Sequence, residues 1–248
     1  MLIGSAVNAL AIMVGASVGL VLRHLACLPG EKSASGQLTL GDRLQEIIMK
    51  GLSLCVFYIG VDGMLEGENT LVAILSMVIG AVIGELLDLD ARMQGLGDWL
   101  QKKVSGLLKG SGTVNVSEGF VTSCLLFCVG AMAIVGALED GLTGDHSTLF
   151  AKALLDGVGS ILFASSLGVG VVFSAFAVFL YQGTIALLAS FLSPLLTAEI
   201  ITEMTCVGSI LIVALSLNML GLTRIKVMNL VPACLMPILL VNMIHLFS

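Results

Sequence analysis

The segment Glu139-Asp140-Gly141-Leu142-Thr143-Gly144-Asp145-His146 crowds three carboxylates, an imidazole and two glycines into eight positions. As an outer loop, such a set can gather cations or present a proton-binding carboxylate. The plainer reading is a solvated turn that caps two helices, with Asp145 as an N-cap. Shortly after it, Lys152 and Asp156 stand at i,i+4 spacing, which puts opposite charges on one helix face as an ion pair. Gly157 and Gly159 then weaken that helix just past the pair. Gln182, in Tyr181-Gln182-Gly183, and Asn8, in Gly4-Ser5-Ala6-Val7-Asn8, add amides inside apolar runs. Asp62 follows Tyr58-Ile59-Gly60-Val61 near the end of another run. Asp62, Asp140, Lys152, Asp156, Gln182 and Asn8 are the candidate substrate- or ion-binding residues. Each has a bland counterpart: Asp62 and Glu85 as carboxylates at helix ends, the amides (with Asn218 and Asn242) as glue between helices.

These residues matter because of where they sit. The 248-residue chain is 57% hydrophobic and only 11% charged, with a mean hydropathy of +1.08; an average soluble domain is about 25% charged. A soluble protein of this size cannot hide so much apolar side chain, which excludes a soluble enzyme, a nucleic-acid binder and a disordered tail. The expected architecture is an all-α, polytopic transmembrane helical bundle, a single domain over residues 1–248. A helix crosses the hydrocarbon in about 20 apolar residues. Runs of that kind fall at 2–22, 47–65, 70–89, 119–138, 149–167, 170–193, 207–222 and 226–247. The stretch 148–195 divides into two spans at Gly168-Val169-Gly170. Within the bilayer a charged residue costs on the order of 2.5–3.5 kcal/mol at helix centre and is kept where it faces a partner or cavity.

Charge placement supports eight spans. Ten of the eleven cations cluster after the first, third and seventh spans, while the opposite loops are acidic; Lys152 is the exception. Lys and Arg stay on the cytoplasmic side, so the segments 23–46 and 90–118 are expected to be cytoplasmic and both termini extracytoplasmic, in a bacterial cytoplasmic membrane. Nothing basic precedes the first span and no small-x-small cleavage site follows it, so it is expected to be retained. Residues 90–118 alternate apolar and basic positions at helical spacing around Trp99, as a helix on the membrane surface or an ordinary connector would. Most of the six cysteines lie within spans; Cys124 and Cys128 share a helix face but lack a third ligand, so packing is expected rather than metal. No cofactor or metal is expected.

The order of elements repeats. A span (2–22), a short amphipathic helix (38–49) and spans 47–65 and 70–89 have their counterpart in 170–193, a short amphipathic segment (196–206), 207–222 and 226–247. Five spans separate the two starts, so the units would be inverted, an arrangement of transporters that bind near the midplane. Gly15/Gly19 and Gly80/Gly84 have the spacing of close helix contacts, within the chain or in a homo-oligomer. No HExxH, GxSxG or phosphate-binding loop occurs, and Ser160 lies eight residues from Lys152, roughly 12 Å along a helix, so no enzyme activity is expected.

Gly4-Ser5-Ala6-Val7-Asn8, Phe127 to Gly136 with Asp140 to Asp145, Lys152 with Asp156-Gly157, Phe163 to Gly168, and Asn229-Leu230-Val231-Pro232-Ala233 resemble a bacterial integral-membrane family of unknown function, typified by YqgA and YdfK. The resemblance runs the length of the chain and is most specific in its central Gly-Asp/Lys/Asp-Gly part. It implies a multi-spanning membrane protein and supplies no substrate or catalytic residue. The expected function is a secondary transporter, proton- or cation-coupled, for a small solute. Its rivals are a membrane scaffold or sensor, whose basic segments bind a cytoplasmic partner or anionic lipid, and an ion channel. The expected partners are the lipid bilayer, the small solute or ion and a second copy of the chain, and no nucleic acid is expected.

Overall fold

The protein is described by a computed structural model over residues 2–26, 40–95, 116–129 and 131–247. Among these residues it is all-helical, a polytopic bundle without strands. Seven helices are long and apolar enough to cross a membrane, and a bent pair makes an eighth if it counts as one span. In chain order they are α1 (Ile3–Ala26), α2 (Leu40–Met64), α3 (Thr70–Leu87), the bent pair α4 (Val116–Cys128) and α5 (Ala131–Leu142), α6 (Ser147–Leu167), α7 (Gly170–Leu187), a single turn α8 (Ala189–Leu192), α9 (Ala198–Met219), and a last span built from α10 (Val227–Leu230), a 3₁₀ stretch (Val231–Leu235) and α11 (Met236–Phe247).

Small residues decide which helices meet. Gly15 and Gly19 of α1 lie against Gly157, Ser160, Ile161 and Ala164 of α6, where a Cβ would strike the carbonyl oxygens of Gly157 and Ile161. Gly4 sits on Leu149 and Gly15 on Gly157, so α1 and α6 run parallel. With α1, α2 and α3 crossing once each, parallel α1 and α6 require an odd number of crossings between α3 and α6. The bent α4–α5 pair supplies one. Elsewhere the seams are antiparallel: Gly60, Gly63 and Gly67 follow Val213, Ser209 and Cys206 of α9, while Gly80 and Gly84 meet Ala233 and Asn229 of the last span. Both glycine pairs named for close contact are thus used inside the chain, and an oligomer would need another face.

Several expected boundaries are corrected. The amphipathic segments 38–49 and 196–206 are not separate helices but the first turns of α2 and α9. Hydropathy starts a span only where charges stop, yet the helix starts at its cap: Thr197 accepts the Ile200 N–H. The span 119–138 is two helices bent by 63°. The last span is broken because Pro232 has no N–H to donate, and the chain tightens there to 3₁₀ geometry. The division of 148–195 at its glycines holds, since α6 ends at Leu167 and Gly168 takes φ +83° before α7 begins; α7 however stops at Leu187 rather than running to 193. The surface helix expected around Trp99 lies outside the described residues.

The bundle is layered around α9, the most buried of the candidate spans at 78%. One core joins Ile12 and Ala16 of α1, Phe127, Phe163, and Val171, Ala175 and Val178 of α7. A second joins Ile134 and Leu138 of α5 with Ile200 and Met204 of α9. Long apolar side chains of α1, α3 and α6 (Leu10, Val14, Val18; Ile74, Val78, Val82; Leu154, Val158, Leu162) remain exposed on the outside of the bundle, as lipid-facing positions require.

Candidate functional site

Helix α6 buries one stripe, Leu149, Lys152, Ala153, Asp156, Ser160 and Phe163, and both charges of the i,i+4 pair fall on it. Lys152 is 7% exposed and Asp156 6%. The Lys152 ammonium lies 2.9 Å from each oxygen of the Asp156 carboxylate. The parallel seam with α1 delivers Asn8 to the same place, because glycines at 4, 15 and 19 let the backbones approach. Asn8 Nδ2 donates to Asp156 Oδ2 at 3.0 Å and to Gln182 Oε1 of α7 at 3.2 Å. Three helices, far apart in sequence, thus converge on one buried carboxylate.

Donor and acceptor accounting fixes the amides. A carboxylate flanked by an ammonium accepts only, so the NH₂ end of Asn8 must face Asp156. That leaves Gln182 to accept with its oxygen. Asn8 Oδ1 and Gln182 Nε2, both buried, then make no hydrogen bond to protein. The cluster therefore keeps one acceptor and one donor beyond what its own members use. Asp156 is the tenth of the 21 residues of α6, near the middle of a span about 30 Å long. Neither helix-end capping nor snorkelling explains charges at that depth.

Asp140 belongs to the last turn of α5, not to a loop, and it faces inward with 0% exposure. It continues the buried stripe of Ala133, Ala137 and Gly141. His146 Nδ1 stands 2.7 Å from Asp140 Oδ1. No hydrogen bond is formed across this contact, and neither carboxylate oxygen is hydrogen-bonded. On the other side, the Cβ position of Gly4 is 3.3 Å from Asp140 Oδ2, so this carboxylate touches α1 one turn before Asn8. Asp145 is exposed, and its Oδ1 accepts the Ser147 N–H at 2.9 Å, which holds its carboxyl below the usual range. The N-cap position itself is taken by His146, whose side chain makes no cap bond.

Asp62 lies apart, exposed in the last turn of α2, which packs on α9 rather than on α1 or α7. Five of the six candidate residues therefore surround the α1–α6 seam and one does not. Residues outside that set carry the other buried polar contacts. Glu203 of α9 is 1% exposed and its Oε1 accepts the N–H groups of Glu68 and Asn69, each at 2.8 Å. Asn229 donates to Glu85 and accepts the Asp90 N–H at 2.7 Å, while Lys226 reaches Glu85 at 3.2 Å. That bond and charge hold the Lys226 ammonium above the usual lysine range. The signal for these contacts in the sequence was the Thr197 cap and the acidic residue before each basic loop, neither of which names a partner some 135 positions away.

A cavity of about 420 Å³ opens at the other end of the bundle, between Asp90, Gln94, Glu118, Thr122, Asn218 and Val227. It lies where α3 and α9 end and α4 begins, away from the Asp156 cluster. Among the described residues no group of three or more His, Cys, Asp or Glu side chains is placed to hold a metal; Cys124 and Cys128 are half-buried free thiols.

The sequence pattern of a protein family of unknown function, DUF554, matches residues 3–242. The chain belongs to the DUF554 family. Its relatives include the uncharacterized membrane protein YdfK of Bacillus subtilis (strain 168), 31% identical over 84% of this chain and 87% of that one. The uncharacterized protein YqgA of Escherichia coli (strain K12) is 28% identical over 95% of this chain and 94% of its own. No solved structure matches. Family membership agrees with a multi-spanning membrane protein, and the DUF554 description carries no activity to transfer.

Proposed function

We propose that this DUF554 protein is a secondary transporter, coupled to protons or another cation, that binds a small solute at the Asn8–Lys152–Asp156–Gln182 cluster. The observation that carries the reading is a charged pair buried at mid-span and held by side chains alone. Its amides keep an unused acceptor and donor in a place where unused polar groups are expensive. Two further features support it. Interrupted helices, at the bend between α4 and α5 and at Val231–Leu235, are the devices by which membrane carriers flex around a site. The units that would form an inverted repeat also pair member with member: α1 packs on α7, α2 on α9 and α3 on the last span, each antiparallel. The basic segments would then face the cytoplasm and both termini the opposite side, and the chain would act as a carrier and not as an enzyme.

The test is flux in proteoliposomes of the purified chain, with a pH-sensitive dye inside and sodium, potassium or pH gradients imposed against a panel of amino acids, organic acids and nucleosides. Coupled uptake is expected in the wild type and its loss in Asp156→Asn. Flux that survives this substitution unchanged removes Asp156 from the mechanism. A second reading, a scaffold whose ion pair is structural, draws on the closure of the pair at 2.9 Å. It gains if no gradient drives uptake while the protein remains folded.

A further inference from the structure

The cluster is closed by its own side chains, so a coupling ion needs a route to it. Asp140 is a buried carboxylate not satisfied by its surroundings: fully enclosed, with both oxygens free of hydrogen bonds. A buried carboxylate in that state cannot carry its charge alone; it holds a proton or a paired cation. His146 Nδ1 at 2.7 Å supplies the partner, and the His146 side chain is 21% exposed and so reaches the surface. The contact is not a formed hydrogen bond, but a turn of the ring brings Nδ1 into line with Oδ1, so a proton can pass between the two groups. The other side of Asp140 touches Gly4, and Asn8 stands one turn, about 6 Å, further along α1. Asn8 in turn bonds Asp156. Between them in the chain Ser5 is fully buried with an unbonded hydroxyl, which can accept one proton and give another.

We propose that Asp140 and His146 form a proton-binding couple that takes protons from the aqueous end of the bundle and passes them, along the first turns of α1, to the Lys152–Asp156 pair. The imidazolium gives its Nδ1 proton to Asp140 Oδ1, leaving a neutral ring and a neutral acid. The acid gives a proton to the Ser5 hydroxyl as that hydroxyl releases its own towards Asp156, while Asn8, which only donates to Asp156, orients the carboxylate and carries no proton. On delivery Asp156 becomes a neutral acid while Lys152 remains an ammonium, and the pair loosens because its attraction is gone. The titratable groups around the couple are few. Glu139 is held by the Thr148 hydroxyl at 2.7 Å, Asp145 by the Ser147 N–H, and Lys152 by Asp156. Facing this turn are Gly4 of α1 against Asp140, and Ala186 of α7 and Ala189 of α8 against Gly141; Tyr181 of α7, which carries a phenol, packs on the same core as Ala137 and Leu138. Binding of the proton stands without transport; its delivery for coupling rests on the function proposed above.

The experiment uses the full chain in lipid, labelled at histidine and followed by NMR across pH, with the His146 signal assigned by its loss in His146→Asn. The His146 midpoint is expected to fall by about one unit or more in Asp140→Asn, because the imidazolium loses its counter-charge. An unchanged midpoint overturns the couple. In vesicles with a trapped pH dye and a potassium-diffusion potential, proton uptake is expected to fall about tenfold or more in both Asp140→Asn and His146→Asn. Wild-type uptake in both variants overturns the relay even if the midpoint moves. Absent uptake in the wild type sinks the transport reading and the relay with it, while the midpoint shift still decides the couple. Should Asp140→Asn not fold, His146→Asn provides a second readout: the infrared acid band of Asp140 must appear at a different pH than in the wild type, and a band that stays put counts against the pairing.

Discussion

Two regions of this bundle bury charged or amide side chains, and they use them differently. At the contacts of α3 with α9 and the last span, Glu203 and Asn229 accept backbone N–H groups from chain ends that no helix satisfies: Glu68 and Asn69 before α3, Asp90 after it. Each is a cap supplied from a distant helix: Glu203 Oε1 and Asn229 Oδ1 serve the backbone, while Asn229 Nδ2 goes to Glu85 and Glu203 Oε2 makes no hydrogen bond to protein. Around the α1–α6 seam, Lys152, Asp156, Asn8 and Gln182 touch no chain end and bond only to one another. The first kind is what any membrane fold needs to close its helix termini. The second has no such use, and a fold would be cheaper without it. The contrast separates helix-end caps from the polarity proposed above to bind solute, without reference to exposure, since both kinds are almost fully buried.

The strongest way to break the comparison is to remove one charge of the pair. Lys152→Met leaves Asp156 buried and uncompensated, and is expected to cost about 3–5 kcal/mol of stability, read as a lowered unfolding midpoint in detergent. Lys152→Met combined with Asp156→Leu should recover most of that loss, because a buried ion pair is often no better than apolar packing. The double variant should be folded and inactive. If it remains as unstable as Lys152→Met alone, the pair is structural and the distinction fails.

Next in size are the two seams. Gly15→Ala pushes α1 off α6, where the Gly157 carbonyl stands in the way, and Gly84→Ala pushes α3 off the last span at the Asn229 carbonyl. Each should cost about 1–3 kcal/mol as overpacking. Only Gly15→Ala should also reduce flux, since it displaces Asn8 from Asp156. Equal loss of flux in the two variants would mean that the last span belongs to the site as well.

Comparable in stability, but with no effect expected on flux, is the cap. Glu203→Ala strips two backbone N–H groups of their acceptor and is expected to cost about 1.5–3 kcal/mol at most. Glu203→Gln, which keeps an oxygen for them, should cost clearly less. Uptake per folded molecule should be unchanged in both, measured on material sorted by gel filtration. A transport defect in Glu203→Gln would move Glu203 from the caps to the site.

What the sequence made legible follows the range of each interaction. Lys152 and Asp156 pair within one helix, so spacing alone predicted them. Gly168 was readable as a turn because its φ of +83° suits no other residue as well. Asn8 and Gln182 were visible as amides inside apolar runs, but their meeting depends on packing across 174 positions, which no local pattern encodes. The start of α9 was misplaced for a physical reason: Glu199 and Glu203 lower the hydropathy of its first turns, although Glu203 is buried on backbone donors from the chain just before α3. Asp140 read as a loop carboxylate because glycines surround it; helical phase from Ala133 and Ala137 turns it inward instead.

The least effect is expected at Asp145, and it tests the boundary between the site and its rim. Its carboxyl sits beside His146 in sequence yet faces water, and the Ser147 N–H holds it below the ordinary carboxylate range. A depressed folded value means that its contribution is present above the unfolded carboxylate value, about 3.9, and is lost as pH falls through the folded one. Asp145→Asn should therefore leave the unfolding midpoint near neutral pH almost unchanged and slightly flatten its decline in acid. The proton traffic assigned to Asp140 and His146 should not notice the change. If Asp145→Asn slows proton uptake as much as Asp140→Asn does, the acidic segment acts as a diffuse surface field, and burial is not what distinguishes its members.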